Sequence, residues 1–340
     1  MLKYLLQLAA LTALALSASL ALAQRTPILV YTAIETDQLK AYKDAFEAAV
    51  KDVEIRWVRD STGVVTAKLL AEKANPQADV VLGLAATSLL VLEQEGMLTP
   101  YAPQGVEKLN QRFVDAKKPP MWVGMDVWGA TICFNTVEAK KRNLPKPESW
   151  KDLLKPVYKG QITMPHPASS GTGFLDVTAW LQLFGEAEGW KYMDALHENI
   201  AQYVHSGSKP CRQAGAGEFV MGISFEYRGN ATKASGAPVD LIFPKEGVGW
   251  DMEASAIMKA SKKQAAARKL LDWSVTRGAN ELYAKNYAIV ALPGVAKPLP
   301  NLPSNYESML VKNDFAWAAK NRDRILAEWE KRYNAKAEPK

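Results

Sequence analysis

The stretch His166–Phe174, HPASSGTGF, concentrates groups that hold an anion. Between Pro167 and an apolar run starting at Phe174 it places Ser169, Ser170, Gly171, Thr172 and Gly173. Glycines let successive backbone N–H groups turn toward one point, and hydroxyls add donors. A helix starting near Thr172 adds the partial positive charge of its N-terminus. A tetrahedral or carboxylate anion suits such a loop; an ordinary Ser/Thr helix cap is the alternative. Ser61-Thr62-Gly63, within RDSTG, repeats the arrangement ahead of a helix beginning near Val64. Two loops of this kind, one from each side of a cleft, would grip a single anion.

Acids and aromatics recur at the same places. Glu35 follows the first strand, Glu226-Tyr227 follows a later one, and Trp250-Asp251 and Trp128 lie where the chain crosses between lobes. A carboxylate beside aromatic faces suits an ammonium group. Glu35, Glu226 and Asp251 are therefore candidate ammonium ligands, with Tyr31, Trp128, Tyr227 and Trp250 as cavity walls. For Glu226 and Asp251 a helix cap and a solvated hinge residue are the alternatives. Anion donors and cation acceptors in one cleft describe a small zwitterion.

Catalysis has little support. The chain holds three histidines, His166, His197 and His205. No G-x-S-x-G elbow surrounds Ser169 or Ser170, and there is no G-x-x-x-x-G-K-[ST] phosphate loop. No G-x-G-x-x-G follows a strand, and metal-ligand spacing is absent, so no cofactor is expected and the chain is read as a non-enzyme.

The elements that must position these loops alternate. Pro27–Ala33 reads as a strand, Thr36–Val50 as an amphipathic helix, Val53–Val58 as a strand and Val64–Ala74 as a helix. Asp79–Leu84 is a buried strand, with a helix over Thr87–Gln94. This order implies a parallel sheet with right-handed crossovers, and ligands sit beyond the carboxyl ends of such strands. The long apolar run Trp122–Asn135 would carry the chain into a second lobe. There Gln161–Met164, Val220–Phe225 and Val239–Phe243 are strands; Thr172–Phe184, Glu188–Tyr203 and Glu226–Ser235 are helices. Ala254–Met258 would return to the first lobe, followed by helices over Lys262–Thr276 and Ala279–Lys285. Phe315–Tyr333 reads as one terminal helix with an apolar face. The expected fold is α/β: a two-lobed clamshell, each lobe a mixed, mostly parallel sheet flanked by helices, with two hinge crossings. Lobe 1 is 24–127 with 252–340, and lobe 2 is 128–251.

Met1–Ala23 carries Lys3, an apolar Leu/Ala run and Ala21-Leu22-Ala23 ahead of Gln24, a secretory signal peptide with cleavage expected after Ala23. Of the 340 residues, 317 then remain, more than one core usually supports. The formal charge of +6 falls to +5 with Lys3 removed. The surplus is spread out, so no basic stripe for nucleic acid forms. Cys133 and Cys211 are the two cysteines. In an oxidising compartment an even count suggests one disulfide, two buried thiols being the alternative.

PHPASSGTGFLDVTAWLQLFG (165–185), ENIAQYVHSGSKPCRQAGAGE (198–218) and GISFEYRGN (222–230) carry a resemblance. RDSTGVVTAKL (59–69) and GATICFNTVEAK (129–140) support it. Over essentially the whole mature chain the sequence resembles type II periplasmic substrate-binding proteins of ABC importers, in the ferric/thiamine/phosphonate-type group. It is most similar there to 2-aminoethylphosphonate-binding proteins. The resemblance implies a periplasmic, monomeric clamshell that closes on a small molecule and delivers it to an inner-membrane ABC permease. It implies that Ser61, Thr62, Ser169, Ser170, Gly171 and Thr172 hold a phosphonate. Ferric-binding relatives carry adjacent tyrosines where this chain reads Phe225-Glu226-Tyr227, which disfavours iron. Another small anion, ferric ion, or a phosphonate-processing enzyme are the alternative readings.

Overall fold

The computed structural model describes residues 25–339. The leader Met1–Ala23 and its cleavage site lie outside the described residues.

The chain opens with β1 (Thr26–Thr32), α1 (Thr36–Ala49), β2 (Val53–Arg59), α2 (Thr62–Ala71), β3 (Val80–Ala85), α3 (Ala86–Gln94) and the short β4 (Leu98–Thr99). β5 (Val123–Asn135) and α4 (Thr136–Lys141) lead to β6 (Ile162–Pro165), α5 (Gly171–Phe184), α6 (Glu186–Asn199) and β7 (Ile200–Val204). Then come α7 (Lys209–Ala216), β8 (Met221–Phe225), α8 (Glu226–Ala234), β9 (Val239–Ile242) and β10 (Trp250–Met258). The chain finishes with α9 (Gln264–Ser274), α10 (Arg277–Tyr283), α11 (Tyr306–Met309), α12 (Phe315–Lys320) and α13 (Arg322–Tyr333).

The strands run in the order β2-β1-β3-β10-β5-β8-β6-β7, with β4 against β10 and β9 against β5. β1 pairs in parallel with β2 and β3, and β6 pairs in parallel with β7 and β8. β10 and β5 run antiparallel to their neighbours and join the two parallel sets. This is the expected two-lobed α/β architecture. β3 and β5 are buried along their whole length, because helices cover both faces, and their sequences are correspondingly continuous apolar runs.

β5 makes the first crossing. Its residues Val123–Gly129 pair with β10, whereas Ala130–Asn135 pair with β8 and β9. β10 returns the chain alongside it and continues onto β3. Helix packing follows helical spacing: Tyr42 and Phe46 of α1, one turn apart, meet Tyr283 and Trp273 edge-on at 5.3 and 5.7 Å.

The expected helix Glu188–Tyr203 ends early. α6 stops at Asn199, whose side-chain amide donates to the carbonyls of Leu153 and Lys155. Ile200–Val204 is β7, its apolar side chains entering the core beside β6. The expected terminal helix is broken at Asn321, whose amide turns back to the Trp317 carbonyl. α12 packs on α3. α13 lies instead on the second lobe, where Trp329 meets His166 at 4.5 Å and Tyr203 at 4.7 Å.

Cys133 of β5 and Cys211 of α7 form a disulfide across 78 residues of chain. Loop closure of that length is worth about 4–5 kcal/mol through the unfolded state. Replacing both cysteines with serine should lower the melting midpoint under oxidising conditions. Reducing the wild type should move its midpoint to the same place, read by thermal denaturation with and without reductant.

Candidate functional site

Three helices begin at one small cavity. Its lining combines Ala33 and Glu35, Arg59, Ser61 and Thr62, Gly83 and Ala85, Trp128, Ser170 through Thr172, Gly207, Phe225 and Glu253. The enclosed volume is about 40 Å³. α2 and α3 point their N-termini at it from the first lobe, and α5 does so from the second. The first N–H groups of a helix have no partner within it, so each start brings free donors and partial positive charge.

The caps leave donors to spare. Ser61 at the start of α2 makes no side-chain capping bond, so its hydroxyl is available. Ser170 caps α5 through a long 3.4 Å contact from the Gly173 N–H. Thr172 packs beside Gly207, where a Cβ would fall 2.5 Å from its Oγ1. Arg59 is fixed by donating from Nε to the Ile34 carbonyl at 3.1 Å. The cavity can therefore surround an oxyanion with hydroxyls, helix N–H groups and a guanidinium.

The two lobes touch around this cavity. The Gly63 N–H donates to the Ser169 carbonyl at 3.0 Å. Gly171 approaches Thr62 so closely that a Cβ would lie 2.6 Å from its Oγ1. Arg228 of the second lobe donates to Glu35 at 2.5 Å and reaches Asp37 at 3.2 Å. Arg212 lies 3.7 Å from Glu35, and His205 lies 3.5 Å from Asp60.

Of the residues expected from sequence, Ser61, Thr62, Ser170, Gly171, Thr172, Glu35 and Trp128 line the cavity. Ser169 stands aside, its hydroxyl donating to the His205 carbonyl at 2.9 Å. Glu35 faces the cavity, but Arg59 and Arg228 hold its two oxygens, which leaves it poorly suited to an ammonium. Glu226 is fully buried and accepts from the Gly129 N–H at 2.7 Å. Asp251 caps α3, accepting from the Ala86 N–H at 3.1 Å and the Thr87 hydroxyl at 2.6 Å. The aromatics are likewise engaged elsewhere. The Tyr31 hydroxyl donates to Glu72, Tyr227 leans on Tyr287, and Trp250 packs on Phe315.

Ala33, Arg59, Gly83, Ala85, Gly207, Phe225 and Glu253 complete the lining, none of them named as a site residue from the sequence. Arg59 opens the same RDSTG loop as Ser61. Glu253 is an acid inside the apolar strand WDMEASAIM, and a charge in such a strand is itself a signal.

Residues 75–318 match the family described as bacterial extracellular solute-binding proteins. The chain belongs to that family. An uncharacterized protein of Haemophilus influenzae is 28% identical over 285 residues, 82% of each chain. A probable ABC transporter periplasmic-binding protein, y4fP, of Sinorhizobium fredii is 27% identical over 276 residues, 78% of this chain and 74% of its own length. Among solved structures, the periplasmic binding protein AfuA from Actinobacillus pleuropneumoniae, with fructose-6-phosphate bound, superposes with a TM-score of 0.85. It is 27% identical, with 92% of this chain and 99% of AfuA covered. Among the described residues no cluster of three ligating side chains could hold a metal ion, and no helix is long and apolar enough to cross a membrane.

Beneath the cavity this solute-binding protein keeps four buried acids. Burial pushes Glu226 up to about 8, against the hydrogen bond from Gly129. Burial pushes Asp251 up to about 7, although the Thr87 hydroxyl and nearby N–H groups favour its anion. Asp126 and Glu253 are raised too, by burial and then by neighbouring carboxyls.

Two outcomes follow from this geometry. A Cβ on Gly63 would fall 2.1 Å from the Ala168 carbonyl oxygen, a backbone atom of the other lobe. Gly63→Ala should therefore hold the lobes apart and weaken ligand binding at least tenfold, about 1.4 kcal/mol. Its ligand-free melting midpoint should stay level or rise, because alanine is the better helix former. Titration calorimetry and small-angle scattering with ligand would show both. Glu226 binds its proton more tightly folded than unfolded, so the stability of its neutral form is present at low pH and lost as pH rises toward 8. The melting midpoint should fall between pH 5 and pH 8, and Glu226→Gln should flatten that slope, by up to about 1.4 kcal/mol per pH unit.

Proposed function

We propose that this chain is the periplasmic solute-binding component of an ABC importer and that its solute is a small organic phosphate or phosphonate. The observation that carries this reading is the convergence of three helix starts, the hydroxyls of Ser61, Thr62, Ser170 and Thr172, and Arg59 on one cavity. A phosphoryl group has three oxygens and one to two negative charges at neutral pH, which matches a set of donors spread around a point. In this reading Ser61, Thr62, Ser170, Gly171, Thr172 and Arg59 hold the phosphoryl oxygens. Glu35 serves the arginine clamp that joins the lobes.

2-Aminoethylphosphonate is the narrowest form of the reading. A hexose phosphate is the second, favoured by the likeness to AfuA with its bound fructose-6-phosphate. Closure is a hinge motion about β5 and β10, driven by a solute that both lobes touch. The lobes take 24–127 with 252–340 and 128–251, α13 riding on the second. The closed, loaded monomer delivers its solute to the permease.

Calorimetric titration of the ligand-free mature protein tests the reading, with 2-aminoethylphosphonate, fructose 6-phosphate, inorganic phosphate, ethanolamine and ferric citrate in parallel. One of the two organic phosphoryl compounds should bind one-to-one in the sub-micromolar range. For about seven heavy atoms at ~1.5 kcal/mol each, the ceiling is near −10 kcal/mol. Ser170→Ala should cost that compound about 1.5–3 kcal/mol, a loss of roughly 10- to 150-fold. Binding of ethanolamine or ferric citrate alone would reject the phosphoryl assignment.

A further inference from the structure

We propose that Glu253 is the specificity-determining residue for the end of the solute remote from the phosphoryl group, and that it receives an ammonium there. The inference rests on the phosphoryl reading above and names the class of solute within it: a short aminophosphonate or amino-phosphate.

Glu253 lines the cavity with 8% of its surface exposed. Its Oε1 accepts from the Tyr287 hydroxyl at 3.3 Å, and its Oε2 is buried with no hydrogen-bond partner. A buried carboxyl oxygen without a partner is costly, and at a cavity wall a donor on the ligand can supply the missing partner. The backbone places it deliberately. Glu253 sits opposite Ala85 of β3 and Asp126 of β5. The pairing of β10 slips just after Glu253 against β5 and one residue later against β3. Bulges of this kind turn a side chain out of the regular alternation. Gly83 completes the space: with φ of +66°, it stands where a Cβ would come 3.4 Å from Glu253 Oε2.

The groups around Glu253 select a cation. Asp126 faces it from β5 with both carboxyl oxygens unpartnered and no exposed surface. Glu226 of α8, and Glu35 ahead of α1, also raise its affinity for a proton, while the Tyr287 hydrogen bond and Arg59 oppose them. Tyr42 of α1 and Tyr283 at the end of α10 lie nearby, and burial above all keeps both phenols protonated. Burial shifts Asp126, Glu226 and Glu253 toward their neutral forms. An ammonium placed against Oε2 reverses that preference. The Glu253 O–H bond breaks, the proton leaves to solvent, and the carboxylate pairs with R–NH₃⁺, so charge and atoms balance. A solute carrying a hydroxyl at that end gives no such exchange, and a bare phosphate leaves the oxygen unpartnered. Glu226 also keeps a buried oxygen without a partner, but neither it nor Asp251 lines the cavity; of the two lining carboxyls, Glu35 has both oxygens paired, which leaves Glu253.

The test compares 2-aminoethylphosphonate, ethylphosphonate and fructose 6-phosphate on the wild type and on Glu253→Gln. Titrations are run near pH 7 in two buffers of different ionisation enthalpy. Ethylphosphonate carries the phosphonate without the amine, so it reports an intact cradle in the variant; the phosphonate ionisation of each solute is titrated separately and its own proton count subtracted. The wild type should bind 2-aminoethylphosphonate at least tenfold tighter than ethylphosphonate and release close to one additional proton. Glu253→Gln should bind ethylphosphonate as the wild type does, while losing most of the preference and the additional proton. A variant that keeps the preference overturns the assignment, as does a wild type that prefers fructose 6-phosphate. A wild type that binds none of the three fails the phosphoryl reading itself and removes the assignment with it.

Discussion

Helix starts leave backbone N–H groups that the helix cannot satisfy, and this protein gathers three such starts at one point. Strands β2 and β3 on one side and β6 on the other end facing the same cleft, so the helices that follow them begin there. The parallel pairing within each lobe makes that geometry unavoidable. Small residues at the contact make it close. Gly63 and Gly171 sit where any Cβ would collide with backbone or hydroxyl across the gap, and Gly207 where it would collide with Thr172 within the second lobe. The cleft is thus a place where donors are crowded and bulk is excluded, which suits a compact, multiply charged anion.

Charge around the cleft is arranged in two tiers. At the rim Glu35 is caught between Arg59 of its own lobe and Arg228 of the other, with Arg212 nearby, and Arg228 and Arg212 bridge the lobes. Arg228 is nearly buried there, and a guanidinium is the cation best suited to such a fork. In the floor, Asp126, Glu226, Asp251 and Glu253 are carried protonated or capped, because ionising several carboxyls side by side out of water would cost several kcal/mol each. The rim is therefore ionic and the floor neutral.

The terminal segment ties these parts together. α12 packs on α3 of the first lobe and α13 lies on the second. At the junction Arg322 stands over the Phe174 ring and lines a small cavity behind the cradle. Thr62, Gly63, Thr87 and Ser88 border that cavity from one lobe, and Pro167, Ser170 and Gly171 from the other. Its guanidinium adds positive potential behind the two Ser/Thr/Gly loops.

The sequence by itself determined the periodicity-driven part of this protein. Alternating strands and helices, the long apolar crossing at 122–135 and the two Ser/Thr/Gly loops are local patterns, and local patterns survive reading along the chain. Residues 61, 62 and 170–172 could be named because helix starts are written in neighbouring residues. Tertiary structure decided everything that depends on which way a side chain faces. Glu226 sits one residue and Asp251 two residues from a lining residue, yet they serve a strand N–H and a helix cap, while Glu253 reaches the cavity where β10 slips register beside it. Tertiary structure also ended α6 at Asn199 and sent α13 to the second lobe. Both outcomes rest on contacts with residues tens to more than a hundred positions away, a distance that spacing along the chain does not encode.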